Sequence, residues 1–196
     1  MLAPDLLTIS PMASKKEKLA ELYKLIADIE TAMFTTRRGD GLLVSRPMAT
    51  QAQAEGADLW FVTDRDSPKV DEIRDDPNVN LSYFHSRTKE WISVSGTAKV
   101  LRSDKKIREL WRPDWRAWFG ADDGDPRHGT PEDPRMILIA VTIKLAVYLE
   151  LNKPQPVILF EMIKGMITGK RPEMPRPKAI MKERGKRAAK RLSHRR

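Results

Sequence analysis

Ile137-Leu138-Ile139-Ala140-Val141-Thr142-Ile143-Lys144-Leu145-Ala146-Val147-Tyr148-Leu149-Glu150-Leu151 carries an aliphatic side chain at every odd position from 137 to 151. A period of two is the signature of a β-strand, in which successive side chains point to opposite faces. Lys144 and Glu150 interrupt the apolar run and argue against a membrane span. A strand of this length is normally bent, and bending suits a sheet that closes on itself as a small barrel.

Upstream, the pattern repeats in shorter pieces. Residues 90–101 place Ile92, Val94, Ala98 and Val100 on one face. The other face holds Trp91, Ser93, Ser95, Thr97 and Lys99, so one side is core and the half-polar side is suited to line a pocket. Residues 79–85 pair with this strand across a short turn, and residues 59–64 form another strand. Residues 32–37 and 42–48 make a hairpin around Arg38-Gly39-Asp40-Gly41. A short helix is expected over 69–75, ended by Asp76-Pro77. Ahead of the strands, Ser14-Lys15-Lys16-Glu17 reads as a capping box. Leu19, Leu22, Ile26, Ile29 and Met33 then recur at spacings of three and four, which predicts a helix over 15–30. Residues 157–168 are expected to form a last helix before Gly169. The order of helix, about six short strands and helix defines a mainly β (α+β) protein built on a small antiparallel barrel.

The chain has 196 residues, 36 Lys and Arg against 27 Asp and Glu, and a net charge of +9. From Lys170 to Arg196 twelve basic residues face two acidic ones, so the tail holds the basicity and the remaining 169 residues carry a net −1. The expected organisation is a disordered segment at 1–13, a folded domain at 14–169 and a basic, flexible tail at 170–196. Such a tail can contact nucleic acid through counterion release, or can simply keep the protein soluble. The absence of cysteine excludes disulfides and thiolate chemistry and fits a reducing cytoplasm. No signal peptide or membrane anchor is expected from residues 1–13.

Candidate chemistry is sparse. His85, His128 and His194 lie in different elements and lack metal-ligand spacing. The acidic loop Asp122, Asp123, Asp125, Glu132 and Asp133 has no calcium-loop register. Glycine-rich nucleotide loops and the nucleophile-elbow motif are absent. What remains is polar residues at strand ends: Arg46, then Thr63-Asp64 followed at once by Ser67 and Lys69 at a helix start. A hydroxyl, cations and free N–H groups there suit a phosphate, although Ser67 could equally be a helix cap. Trp111, Trp115, Trp118 and Phe119 have helical spacing. They read as a helix face packed on the barrel, an aromatic wall against a flat ring, or a dimer anchor.

Taken in order, Arg46-Pro47-Met48, Leu59-Trp60-Phe61-Val62-Thr63-Asp64, Ser67-Pro68-Lys69, Val79-Asn80-Leu81-Ser82-Tyr83-Phe84 and Ser93-Val94-Ser95-Gly96-Thr97-Ala98 resemble the pyridoxamine 5′-phosphate oxidase-like family, in its general stress protein branch. The resemblance runs from about Lys15 to Gly169. It implies a six-stranded antiparallel split β-barrel with flanking helices, a homodimer, and FMN bound at the subunit interface. By the same resemblance, Arg46, Pro47 and Met48 contact the flavin largely through backbone groups, and Thr63 and Asp64 lie beside the ring or ribityl chain. Ser67 and Lys69 hold the phosphate, and Trp118 reaches the flavin across the dimer. Pro68 stands where the family's oxidases commonly have arginine, and Trp91 where they have glutamine, which points away from vitamin B6 oxidation. The implied function is an FMN-dependent oxidoreductase of the stress-protein type. The alternatives are a non-catalytic flavin binder, holding FMN or the deazaflavin F420, with a tail that contacts nucleic acid.

Overall fold

The computed structural model describes residues 14–120, 124–151 and 177–181. The expected helix at 157–168, the segment 1–13 and most of the basic tail lie outside the described residues. Helix α1 (Lys15–Ile29) starts where the capping box places it: the Glu17 N–H donates to Ser14 Oγ at 3.2 Å, and the Ser14 N–H donates to Glu17 Oε2 at 2.6 Å. The chain then turns sharply at Glu30, whose φ of 61° is held by bonds on both sides. Its N–H donates to the Ile26 carbonyl at 2.8 Å, and its own carbonyl accepts from the Thr50 N–H at 2.9 Å.

Strands β1 (Thr31–Arg37), β2 (Leu43–Ala49), β3 (Leu59–Asp64), β4 (Asn78–Phe84), β5 (Trp91–Leu101), β6 (Met136–Leu149) and β7 (Lys178–Met181) form one antiparallel sheet. Its order is β2-β1-β4-β5-β6-β3, with β7 also on β6. Helix α2 (Pro68–Asp75) follows β3, and α3 (Asp104–Leu110) and a 3₁₀ turn (Pro113–Ala117) follow β5. Strands β2 and β3 are not ladder partners, so the barrel is split along that side. The Gln51 N–H to Trp60 carbonyl bond, 2.8 Å, links the two sides just beyond the end of β2. Among the described residues no helix is long and apolar enough to cross a membrane.

Two apolar clusters hold the sheet. The main core lies inside the barrel and joins Leu22 and Ile26 of α1 to Phe34, Phe61, Leu81, Val94 and Ile139. Phe34 and Phe61 meet edge to face at a centroid distance of 5.1 Å. The second cluster lies on the opposite face of β6, where Met136, Leu138 and Ala140 pack with Trp60, Ile107, Leu110, Trp115 and Phe119.

Three expectations change. The odd positions from 137 to 151 do not share one face. The β5–β6 register shifts between Ser95 and Gly96, so Lys144 is passed over, and beyond it Ala146 and Tyr148 face the main core instead. One extra residue in a strand reverses which phase points inward. Gly96 permits the bend, since a Cβ there would lie 2.4 Å from the Thr142 carbonyl oxygen.

Among the described residues there are seven strands rather than six. β7 falls inside the segment expected to be a flexible tail, because Ile180 is buried in the main core and Lys178 bonds Glu21 Oε2 at 2.7 Å and Glu150 Oε2 at 3.0 Å. The tryptophans do not share a helix face either. Pro113 separates α3 from the 3₁₀ turn, which leaves Trp111 closing one, Trp115 buried in the other and Trp118 exposed beyond it.

Candidate functional site

The polar residues singled out from the sequence gather where β3 runs into α2, beside β1 and β2. The β3–β6 ladder sets Thr63 opposite Ile137 and Asp64 opposite Met136, both of them fully paired positions. Thr63 is buried. The chain then turns, with Asp64 Oδ1 accepting from the Asp66 N–H at 2.8 Å, and enters α2 through Ser67 and Pro68. Proline at the first helical position fits the helix but brings no N–H.

Ser67 sits at the cap position without making a side-chain cap. Its hydroxyl instead accepts from Lys69 Nζ, which also donates to Thr63 Oγ1 at 2.9 Å. One ammonium thus ties strand end and helix start together. Burial lowers the Lys69 pKa below the ordinary lysine value, and the Arg46 guanidinium adds to the effect, while Glu72 and Asp64 oppose it. An anion arriving here would relieve both penalties.

Arg46 leaves β2 towards α2. Its guanidinium donates to Thr36 Oγ1, to the Val44 carbonyl at 3.3 Å and to Glu72 Oε2 at 2.9 Å. Thr36 Oγ1 donates to the same Glu72 oxygen at 2.5 Å. Burial would raise the Glu72 pKa, but the Thr36 and Arg46 bonds outweigh it and hold the carboxyl below its usual range. Glu72 is therefore a carboxylate at neutral pH, and Arg46 is already paired.

The remaining sequence candidates separate. Met48 is buried in the main core, and Pro47 is exposed on β2. Trp118 stands apart with 85% of its surface exposed. Two residues escaped sequence reasoning. Glu72 reads as one more charge on a short helix. Thr36 had a signal: it occupies the inward phase of β1 after Ala32 and Phe34 and is 1% exposed. A hydroxyl in an apolar phase needs a partner.

A shallow groove of about 470 Å³ adjoins this cluster, lined by Thr35, Thr36, Leu43, Asn80, Ser95 and Lys144 among others. Ser95 belongs to the half-polar face of β5 identified from the sequence. A second cleft of about 180 Å³ lies at the opposite end of β3, between Tyr23, Glu30, Asp58 and Arg112, and contains none of the candidates.

The fold defines a split-barrel protein, with the candidate polar cluster at the β3–α2 junction. The family model described as pyridoxamine 5′-phosphate oxidase like matches residues 17–173, and the chain belongs to that family. Protein bli-3 of Neurospora crassa is 38% identical over 157 residues, covering 79% of this chain and 75% of that protein. Among solved structures, a protein from Jannaschia sp. CCS1 assigned as general stress protein 26 matches with a TM-score of 0.66 at 20% identity, over 85% of this chain and 99% of that one. The general stress FMN/FAD binding protein of Xanthomonas citri matches with a TM-score of 0.57 at 22% identity, over 71% of this chain and 92% of that one. At these identities the solved structures speak for the fold.

Proposed function

We propose that this protein binds FMN as a homodimer and serves flavin-dependent oxidation–reduction in the cytoplasm. The observation that carries the proposal is the convergence of Lys69 on the Ser67 and Thr63 hydroxyls, with Arg46 near enough to depress the lysine's pKa. Those donors match a phosphate monoester: two cations, a hydroxyl and the first free N–H of α2. Ser67, Lys69 and Arg46 would hold the phosphate, Thr63 and Asp64 would lie beside the ring or ribityl chain, and Pro47 and Met48 would offer backbone groups. Trp118, exposed in the single chain, would cover the flavin of the partner subunit. When bound, the isoalloxazine ring supplies hydride acceptance, while the chain orients and shields it. The visible spectrum of the purified protein tests this. Flavin absorbance, or quenching of added FMN fluorescence, is expected; neither would overturn the proposal.

A non-catalytic role is favoured by one feature of the same site. Glu72 and Lys69 are both tied into hydrogen bonds, and Asp64 Oδ1 accepts from the Asp66 N–H, so the ionisable groups of the cluster are engaged in holding one another and the local turn. Anaerobic reduction of the bound flavin by NADH or NADPH separates turnover from sequestration, and the spectrum of the chromophore separates FMN from F420. Vitamin B6 oxidation is not proposed, given Pro68 and Trp91. The basic tail adds a proposed salt-sensitive contact with nucleic acid. Truncation after Met181, which keeps β7, should abolish DNA retention at low salt and leave flavin binding intact.

A further inference from the structure

We infer that Glu72 is an internal counter-ion that competes with the ligand's phosphate for Arg46, so that the site takes phosphorylated ligands reversibly. The inference rests on the flavin proposal and concerns the same pole of the site.

Arg46 and Glu72 face each other at 2.9 Å with side chains only 22% and 11% exposed. Thr36 locks the pair, its hydroxyl accepting from Arg46 and donating to Glu72. A phosphate dianion entering the pole meets a guanidinium whose charge is already balanced. To gain Arg46, it must draw the guanidinium from a partly buried carboxylate, leaving that charge with fewer partners. The other contributors do not make up the difference. Pro68 brings no N–H to the first turn, Asp64 carries a negative charge close to Lys69, and only the Lys69 ammonium is held by neutral groups. The pole is thus nearly charge-neutral before the ligand arrives, which suits an exchangeable phosphate ester better than a permanently held one.

Glu72→Gln is the direct test, because the amide oxygen can still accept from Arg46 and Thr36 while the charge is gone. Dissociation constants for FMN and for riboflavin, which lacks the phosphate, are read from fluorescence quenching in both proteins. FMN affinity should rise about tenfold in E72Q, the scale of one charge-assisted hydrogen bond, with riboflavin affinity unchanged within about twofold. In the Arg46→Gln background the same substitution should give much less gain. An FMN affinity in E72Q equal to or below that of the parent overturns the inference, as does a gain that persists without Arg46. If neither protein binds either flavin, the flavin proposal falls too, whereas FMN binding by the parent without a gain in E72Q removes the counter-ion role alone. Unfolding midpoints confirm that the variant is folded. Should E72Q not fold, Glu72→Asp, which draws the carboxylate back from Arg46, must show the same phosphate-specific gain or the inference fails.

Discussion

The two halves of β6 are held in place by different means. From Met136 to Val141 both faces are covered, one by the main core through Ile139 and Val141, the other by the tryptophan-lined cluster through Met136, Leu138 and Ala140. Strand β3 covers the edge of this half, with Leu59 opposite Val141 and Asp64 opposite Met136. Beyond the bulge only Ala146 and Tyr148 face the core, while Leu145, Val147 and Leu149 are partly exposed. The edge there is covered by four residues from near the end of the chain. The site hangs from the first half, because Thr63 and Asp64 are paired to it. A candidate site built on a doubly buried strand inherits its rigidity, and a peripheral strand can change without moving that site.

The most severe way to break this arrangement is to remove the bend between the halves. Gly96→Val would drive a branched side chain into the Thr142 carbonyl, a backbone group that cannot step aside. The expected result is a loss of about 4 kcal/mol or more, seen as insoluble protein or a collapsed urea midpoint. A near-native midpoint would show that the sheet can shed the bulge. Next in size is the contrast between faces. Leu138→Ala should cost about 2–5 kcal/mol, as a fully buried leucine in the second cluster, and should also weaken FMN binding through β3. Val147→Ala, on the partly exposed face, should cost about 1 kcal/mol or less and leave FMN binding unchanged. Equal losses of stability would mean that the halves are not differently supported.

A smaller effect tests the pole itself. Burial and the Arg46 charge depress the Lys69 pKa, against the opposing influence of Glu72 and Asp64. The ammonium that would meet the phosphate is therefore lost at a lower pH than an ordinary lysine would lose it. FMN affinity should fall as pH rises through that depressed value, and riboflavin affinity should not follow. In Lys69→Met the alkaline fall should disappear along with most of the phosphate contribution. A fall shared equally by both flavins would assign the titration to some other group.

How much of this could be read from the sequence depends on whether the signal was local. The capping box, the period of two in β5 and the strand β3 were legible because each is set by neighbours within a few residues. The bulge was not. Alternating Ile, Val and Leu through position 151 continue the strand signal without a break, and only the close approach of Gly96 to Thr142, two strands meeting across the sheet, reverses the phase. β7 was hidden for another reason: Lys178-Ala179-Ile180-Met181 is a short apolar piece in a segment dominated by charge, and its partners lie on α1 and β6. At the site, Arg46, Thr63, Ser67 and Lys69 stood out as polar groups at element ends. Glu72 did not, since a carboxylate on a short helix ordinarily faces water and only the tertiary fold brings Arg46 and Thr36 to it.

The smallest expected effect concerns the anchor of β7, and its pH dependence carries its own check. Lys178 bonds Glu21 and Glu150, and Tyr148 donates to the same Glu21 oxygen at 2.9 Å. The bond from Lys178 lowers the Glu21 pKa, with Tyr148 helping against burial. Burial works against the Lys178 ammonium, but the two carboxylates outweigh it and raise its pKa. A depressed carboxylate contributes stability above its unfolded pKa and loses it as pH falls through the folded value. A raised lysine contributes below its unfolded pKa and loses it as pH rises through the folded one. Lys178→Met should therefore cost about 1 kcal/mol at neutral pH, the scale of a partly exposed ion-pair network. The gap from the parent should close in acid, below the depressed Glu21 value, and again in strong alkali. Because β7 covers only the second half of β6, amide exchange should quicken at Leu145 to Tyr148 and stay slow along β3. Faster exchange at Thr63 and Asp64 would mean that the tail strand supports the binding pole after all, and that the two halves of β6 act as one.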